Sequence, residues 1–325
     1  MAAILTVVDA TTTAIAEAAA VLRRGGLVAF PTETVYGLGA NALDADAVAR
    51  IFARKGRPAT NPVIVHVADA ARVASVAADW PDVAARLADA FWPGPLTLVL
   101  RKRPEVPDVV TAGGPTVAVR VPNHPVALAL LRAADVPLAA PSANRSTQLS
   151  PTRAEHVPAG LADLVLDGGP CAGGIESTVL DVTTPTPRLL RPGLVTVAML
   201  EAVVGSVEVV APTGDGVARS PGQMERHYAP RAVLELADRH RAMALARAGQ
   251  LVGWVTYTSN DVAGAVVRHL SSDPTGYAAG LYAALHELDA AGVEAILVEP
   301  PPQGEEWRAV RDRLRRAAHS DSRTA

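Results

Sequence analysis

Two triplets far apart in the chain, Lys55-Gly56-Arg57 and Ser142-Ala143-Asn144, carry residue types suited to holding an anion. The first supplies paired cations, the second a short hydroxyl and an amide, and their separation suits a pocket folded from distant loops. Lys55 and Lys102 are the two lysines among thirty basic residues. A lysine beside an arginine in so arginine-rich a chain points to a position that wants a compact ammonium. Other polar groups stand where apolar runs end: Thr32 within Pro31–Gly39, His66, Arg120, Ser177 and Arg191. Each has an ordinary structural alternative. Lys55 and Arg57 suit a helix C-terminus, His66 a satisfied core position, and Ser142 and Asn144 a turn. Arg120, at the end of an apolar run, needs an anionic partner if it is buried.

Other chemistries find little support. The single cysteine, Cys171, has no neighbouring charge to favour a thiolate. No HExxH and no G-x-x-x-x-G-K-[ST] occurs, and Gly37-x-Gly39 lacks the acidic residue of a dinucleotide fingerprint. His124, His156 and His240 have surface-like contexts. Cations with convergent hydroxyls and no activated nucleophile suit phosphoryl or nucleotidyl transfer by positioning and electrostatics.

The elements that must position these groups are short. Ala14 to Arg24 and Asp46 to Arg54 read as helices, the first stopped by Gly25-Gly26. Leu27 to Phe30 and Pro62 to Val67 read as strands between Gly and Pro boundaries. Helices follow at about 69–77, 81–90 and 125–133, with strands at 96–100, 116–121, 137–140, 164–166, 178–182 and 188–190. The mixture implies α/β architecture, and the many short Pro-bounded runs argue for a mixed sheet over a simple βαβ repeat. Beyond a Gly/Pro-rich stretch near residues 211–222 a second alternation begins. Strands are expected at 233–236, 251–257, 266–270 and 295–298, with helices at 238–248, 277–291 and 305–318. That is a small α/β unit, Rossmann-like in pattern.

Length and composition agree with two globular domains. The chain has 325 residues, is 49% hydrophobic and has a net charge of -3. The charge gives no footprint for a polyanion partner. One cysteine permits no internal disulfide and fits a reducing compartment. The N-terminus lacks a secretory pattern, and no apolar run approaches the ~20 residues of a membrane span. A soluble, cytoplasmic protein is expected.

These residues together resemble the threonylcarbamoyl-AMP synthase family in its long, two-domain form. The resemblance is carried by FPTETVYGLGANA (30–42), KGRPATNPVIVHV (55–67), WPGPLTLVL (92–100), VAVRVPNHP (117–125) and APSANRS (140–146). It continues through SPT (150–152), GGIESTVLDV (173–182), LLRPG (189–193), SPGQMERHYAP (220–230), EAILVEPPP (294–302) and DRLRRAA (312–318). It implies a large, mixed, twisted open sheet of the YrdC-like kind over residues 1–205. A linker or lid over 206–231, containing SPGQMERHYAP, and a small Rossmann-like α/β domain over 232–325 would follow.

The implied reaction joins L-threonine, bicarbonate (or CO2) and ATP into threonylcarbamoyl-AMP and pyrophosphate, with Mg2+ accompanying ATP. The enzyme would be a nucleotidyltransferase whose product passes to tRNA threonylcarbamoyl transferase proteins for t6A modification. It would bind no membrane and no nucleic acid stably. By the same resemblance, Lys55 and Arg57 are catalytic and contact ATP. Thr116, Ser142, Asn144, Ser150, Arg191 and Tyr228 complete the ATP set, with Tyr228 reaching back from the linker. Thr32, His66, Arg120, Ala140 and Ser177 would hold threonine, with Arg120 on its carboxylate. The competing reading is a double-stranded RNA or tRNA-binding module without catalysis. The charge and the 4% aromatic content argue against it.

Overall fold

The computed structural model describes residues 6–210, 227–258 and 260–318. Residues 211–226, which hold much of the expected linker and of SPGQMERHYAP, lie outside them. The chain divides into two compact units. One comprises Met1–Ser146, Pro151–Ala172 and Glu176–Gln223; the other comprises Thr147–Ser150, Gly173–Ile175 and Met224–Ala325.

The first unit opens with β1 (Val7–Asp9), α1 (Thr12–Arg23), β2 (Val28–Phe30), β3 (Gly37–Asn41), α2 (Ala45–Lys55) and β4 (Ile64–His66). It continues with α3 (Asp82–Phe91), β5 (Leu96–Arg101), α4 (Asp108–Thr111), β6 (Thr116–Arg120), α5 (Pro125–Ala134) and β7 (Leu138–Ala139). β8 (Leu164–Asp167), β9 (Thr178–Asp181), β10 (Arg188–Arg191), α6 (Val197–Val204) and β11 (Glu208–Val209) complete it. Its strands form one sheet in the order β1-β8-β2-β3-β7-β4-β6-β5-β9-β10-β11. The sheet contains parallel pairs such as β4 with β6 and antiparallel pairs such as β5 with β6, so it is mixed as expected. The segment expected as a helix at 69–77 is a single 3-10 stretch, Ala70–Ser75, capped by Asp69. β1, β3, β11, α4 and α6 were not anticipated.

Local chemistry fixes the elements that matter for the site. Asp44 caps α2 by accepting from the backbone N–H groups of Asp46 and Ala47. Ala47, Val48, Ile51, Phe52 and Lys55 form its buried stripe at helical spacing, so the helix delivers Lys55 to the interior. Gly56 ends the helix in the left-handed region at φ 63°, which glycine adopts without side-chain strain, and turns the chain into Arg57. Across the sheet, strand alternation separates two faces. Leu96, Leu98, Leu100, Val117, Val119 and Leu180 belong to the large core. Ile64, Val99, Ala118 and Val179 form a separate small cluster. His66, Thr97, Arg120 and Ser177, each two residues from a member of that small cluster, are placed on its side of the sheet.

The second unit contains β12 (Val233–Leu236), α7 (Arg239–Arg247), β13 (Val252–Thr256), β14 (Val266–His269), α8 (Pro274–Ala290), β15 (Ala295–Val298) and α9 (Arg308–Ala318). Its sheet is parallel throughout, in the order β12-β15-β13-β14. Trp254, Val252, Leu297 and Ala242 centre one core cluster. The charged terminal helix begins later than expected, at Arg308, after a 3-10 turn over Glu305–Trp307. Its charges are partly internal: Asp312 pairs with Arg313 at 2.9 Å and with Arg315 and Arg316 at 3.1 Å. Burial alone would raise the Asp312 carboxyl, but these guanidiniums hold it below the usual carboxylate range.

Candidate active site

The two triplets meet. Lys55 Nζ donates to the carbonyl of Ser142 at 2.5 Å and to that of Asn144. The Ser146 amide returns a bond to the Lys55 carbonyl at 2.8 Å, tying the loop to the end of α2. Lys55 is 3% exposed, and its ammonium is held by neutral carbonyls, so its charge is solvated without being cancelled. Burial, and then the charge of Arg57, pull its pKa well below the ordinary lysine value. Arg57 donates from Nε to Asn61 O at 3.0 Å and from Nη2 to Pro62 O at 2.7 Å. The loop carrying Ser142 and Asn144 is laced to the Thr32 segment by Leu38 N to Pro141 O and Ala143 N to Tyr36 O.

A second group gathers on Arg120. Its Nε donates to Gly94 O at 3.1 Å, its Nη1 to Thr34 Oγ1 at 3.0 Å, and its Nη2 lies 2.7 Å from Glu33 Oε1. The anionic partner that a buried Arg120 requires is therefore Glu33, a residue the sequence reading did not single out. Thr32 Oγ1 bonds Thr34 Oγ1 at 2.8 Å and Val35 O at 2.7 Å, holding its own turn beneath the guanidinium. His66 is directly opposite Arg120 in the ladder between β4 and β6. Ala140 lies at the end of β7, its amide bonded to Ile64 O at 2.9 Å.

A third group joins β9 to β10. Arg191 donates from Nε to Ser177 O at 3.0 Å and from Nη2 to Ser177 Oγ at 3.1 Å. Ser177 Oγ is 2.7 Å from Thr97 Oγ1. Thr116 begins β6 and, with Pro62, Lys102, Asp181 and Thr183, lines a cavity of about 650 Å³. Such a volume is within the range of small-ligand pockets. Ser150 and Tyr228 belong to the second unit. There Ser150 O contacts His286 Nε2 at 3.1 Å, and the Tyr228 ring lies 5.8 Å from Tyr282 and under Arg313. Of the three histidines given surface-like contexts, His240 is 92% exposed but His156 is 10% exposed, and His124 caps α5 through Nδ1.

Burial, reinforced by the charge of Arg120, pulls His66 from 6.5 to about 3. The folded protein thus refuses a proton that the unfolded chain accepts, and stability falls as pH drops from 6.5 toward 3. The His66 contribution to that loss approaches ~1.4 kcal/mol per pH unit. His66→Gln should flatten that acid limb, which denaturant midpoints at neutral and acidic pH will show. Gly193 offers a structural test. A Cβ there would meet Thr178 N at 2.3 Å and Ser177 C at 2.6 Å, both backbone atoms. Gly193→Ala should cost ~3 kcal/mol or more and loosen Arg191 from Ser177, read as a drop in Tm.

Comparison with known proteins places the chain in a family. Residues 20–193 match the Sua5_yciO_yrdC family model, described as "Telomere recombination", which sets the class of the larger unit. Residues 195–319 match the model for the threonylcarbamoyl-AMP synthase C-terminal domain. The chain belongs to the threonylcarbamoyl-AMP synthase family. It is 43% identical to threonylcarbamoyl-AMP synthase of Pyrococcus abyssi, over 93% of each chain. Identity to the Bacillus subtilis enzyme of that name is also 43%, over 94% of this chain and 92% of that one. The structure of P. abyssi Sua5 complexed with L-threonine aligns with a TM-score of 0.88 at 43% identity, covering 97% of both chains.

Proposed function

We propose that the chain is a nucleotidyltransferase that makes L-threonylcarbamoyladenylate and pyrophosphate from L-threonine, bicarbonate or CO2, and ATP. The observation that carries this reading is the junction of the two triplets, where a buried ammonium is held by neutral carbonyls beside Arg57. While protonated, such a cation offers phosphate oxygens a charge that no carboxylate has cancelled. ATP enters as its magnesium complex, the ion counted as part of the substrate.

The threonine amine captures CO2 to form a carbamate, and a carbamate oxygen attacks the α-phosphorus. The bond to the leaving pyrophosphate breaks as charge accumulates on the oxygens that Lys55 and Arg57 face. Arg120 takes the threonine carboxylate, with Thr32, His66, Ala140 and Ser177 around the amino acid. Thr116, Ser142, Asn144 and Arg191 attend the nucleotide. No protein nucleophile enters. Burial pushes the Cys171 thiol up to about 12, far from a reactive thiolate.

The product passes to tRNA-modifying threonylcarbamoyl transferase proteins, and the work is done in the cytoplasm. No helix among the described residues is long and apolar enough to cross a membrane. The test is pyrophosphate release from ATP with threonine and bicarbonate omitted in turn. Dependence on both is expected, and release indifferent to threonine would sink the reading.

A further inference from the structure

Glu33 is an acid inside the clamp that no step above requires. Its side chain is 13% exposed, and both carboxylate oxygens are sealed from solvent without accepting a hydrogen bond from any of the described residues. A buried carboxylate left in that state is costly, because its lone pairs have lost water and gained no donor in return. The Arg120 contact supplies charge at 2.7 Å, but the Nη2 group also fails to make an aligned hydrogen bond. Gly94 O and Thr34 Oγ1 fix the guanidinium from the protein side. Each terminal nitrogen still keeps a second N–H. A threonine carboxylate placed on those donors carries its α-ammonium one carbon away, beside the acid that flanks the same guanidinium.

We propose that Glu33 is a further catalytic residue, which receives the α-ammonium of threonine and takes its proton as the amine captures CO2. The proposal rests on the reading of Arg120 as the clamp for the threonine carboxylate. One proton passes from the threonine nitrogen to a Glu33 oxygen. The freed lone pair forms the N–C bond to CO2, and a C=O electron pair moves onto oxygen. The remaining acidic N–H proton goes to water, leaving the carbamate anion.

Among the described residues, the charged and titratable groups facing Glu33 are Arg120 on β6, His124 at the start of α5 and Cys171 in the loop after β8. None substitutes for it. Arg120 is a donor, the Cys171 thiol is protonated, and His124 Nδ1 is occupied by the Val126 amide at 3.2 Å.

The test pairs Glu33→Gln with two ligands, L-threonine and its α-hydroxy analogue, which carries a hydroxyl in place of the ammonium. In calorimetric titrations the variant should bind threonine ~10–100-fold more weakly while the hydroxy acid changes less than about two-fold. Its turnover should climb about ten-fold per pH unit above neutrality, as the free amine becomes available, against a flatter wild-type profile. Glu33→Asp, which keeps the charge, should retain the preference for threonine. Equal losses for both ligands, an unchanged threonine affinity, or loss of the preference in the Asp variant would overturn the proposal. Wild-type protein that binds no threonine would instead remove the functional reading itself.

Discussion

Lys55→Ala is expected to lower turnover by about a thousand-fold or more while leaving the chain folded. The ammonium is delivered by the buried stripe of α2 and held on the Ser142 and Asn144 carbonyls, so nothing nearby can move into its place cheaply. Arginine is a poor substitute, since its fork is wider than the site that two converging carbonyls define. Stability should respond far less than activity. Truncation orphans two carbonyls, but it also removes a cation that burial disfavours.

The depressed pKa gives this prediction a sign. The unfolded chain binds the Lys55 proton more tightly than the folded one. Wild-type stability therefore rises with pH from the folded pKa up to 10.5, and the variant should lack that rise. For the same reason ATP affinity should weaken as pH rises through the depressed pKa, because a neutral amine no longer attracts phosphate. Steady-state pyrophosphate release and denaturation at several pH values check both parts.

Arg120→Ala is expected to raise the threonine Kd by at least ~100-fold and to destabilise the protein by ~3–5 kcal/mol. The second effect arises because Glu33 remains buried opposite a vacancy, 13% exposed with its charge uncompensated. Adding Glu33→Gln should restore much of the stability and none of the threonine affinity. The two residues should therefore couple strongly in unfolding and separate in binding, a pattern that a double-mutant cycle read by denaturant melts and calorimetry will reveal.

Much of the fold could be read from local sequence because proline and glycine bracket its short apolar runs. Val28–Phe30 lies between Gly26 and Pro31, and Leu138–Ala139 between Pro137 and Pro141. β3 escaped because Gly37 and Gly39 dilute its strand signal, and β1 because its three residues alternate near the surface and pair with a distant strand. The candidate site was legible as residue types at strand ends, with Arg120 marked by its need for an anion. Its pairings were not. That Lys55 meets the carbonyls of residues 142 and 144, or that Glu33 meets Arg120, follows from which strands become neighbours. Sheet order is a tertiary property that no local window contains.

That order has a bearing on how the molecule comes into being. β1 waits for β8, and β7 enters between β3 and β4 after several later elements have been made. The proposed pocket draws on groups from Thr32 to Arg191, and the contacts of Lys55 with residues 142 and 144, of Arg120 with Thr34 and of Ser177 with Thr97 join remote stretches of chain. Topologies of this kind fold slowly, because loop closure must precede the contacts that reward it. On the ribosome, a chain that has not yet released β10 has no Arg191 to lock Ser177. If Arg191 attends ATP as proposed, that contact is missing until β10 emerges, and in refolding the return of turnover should trail the return of compactness.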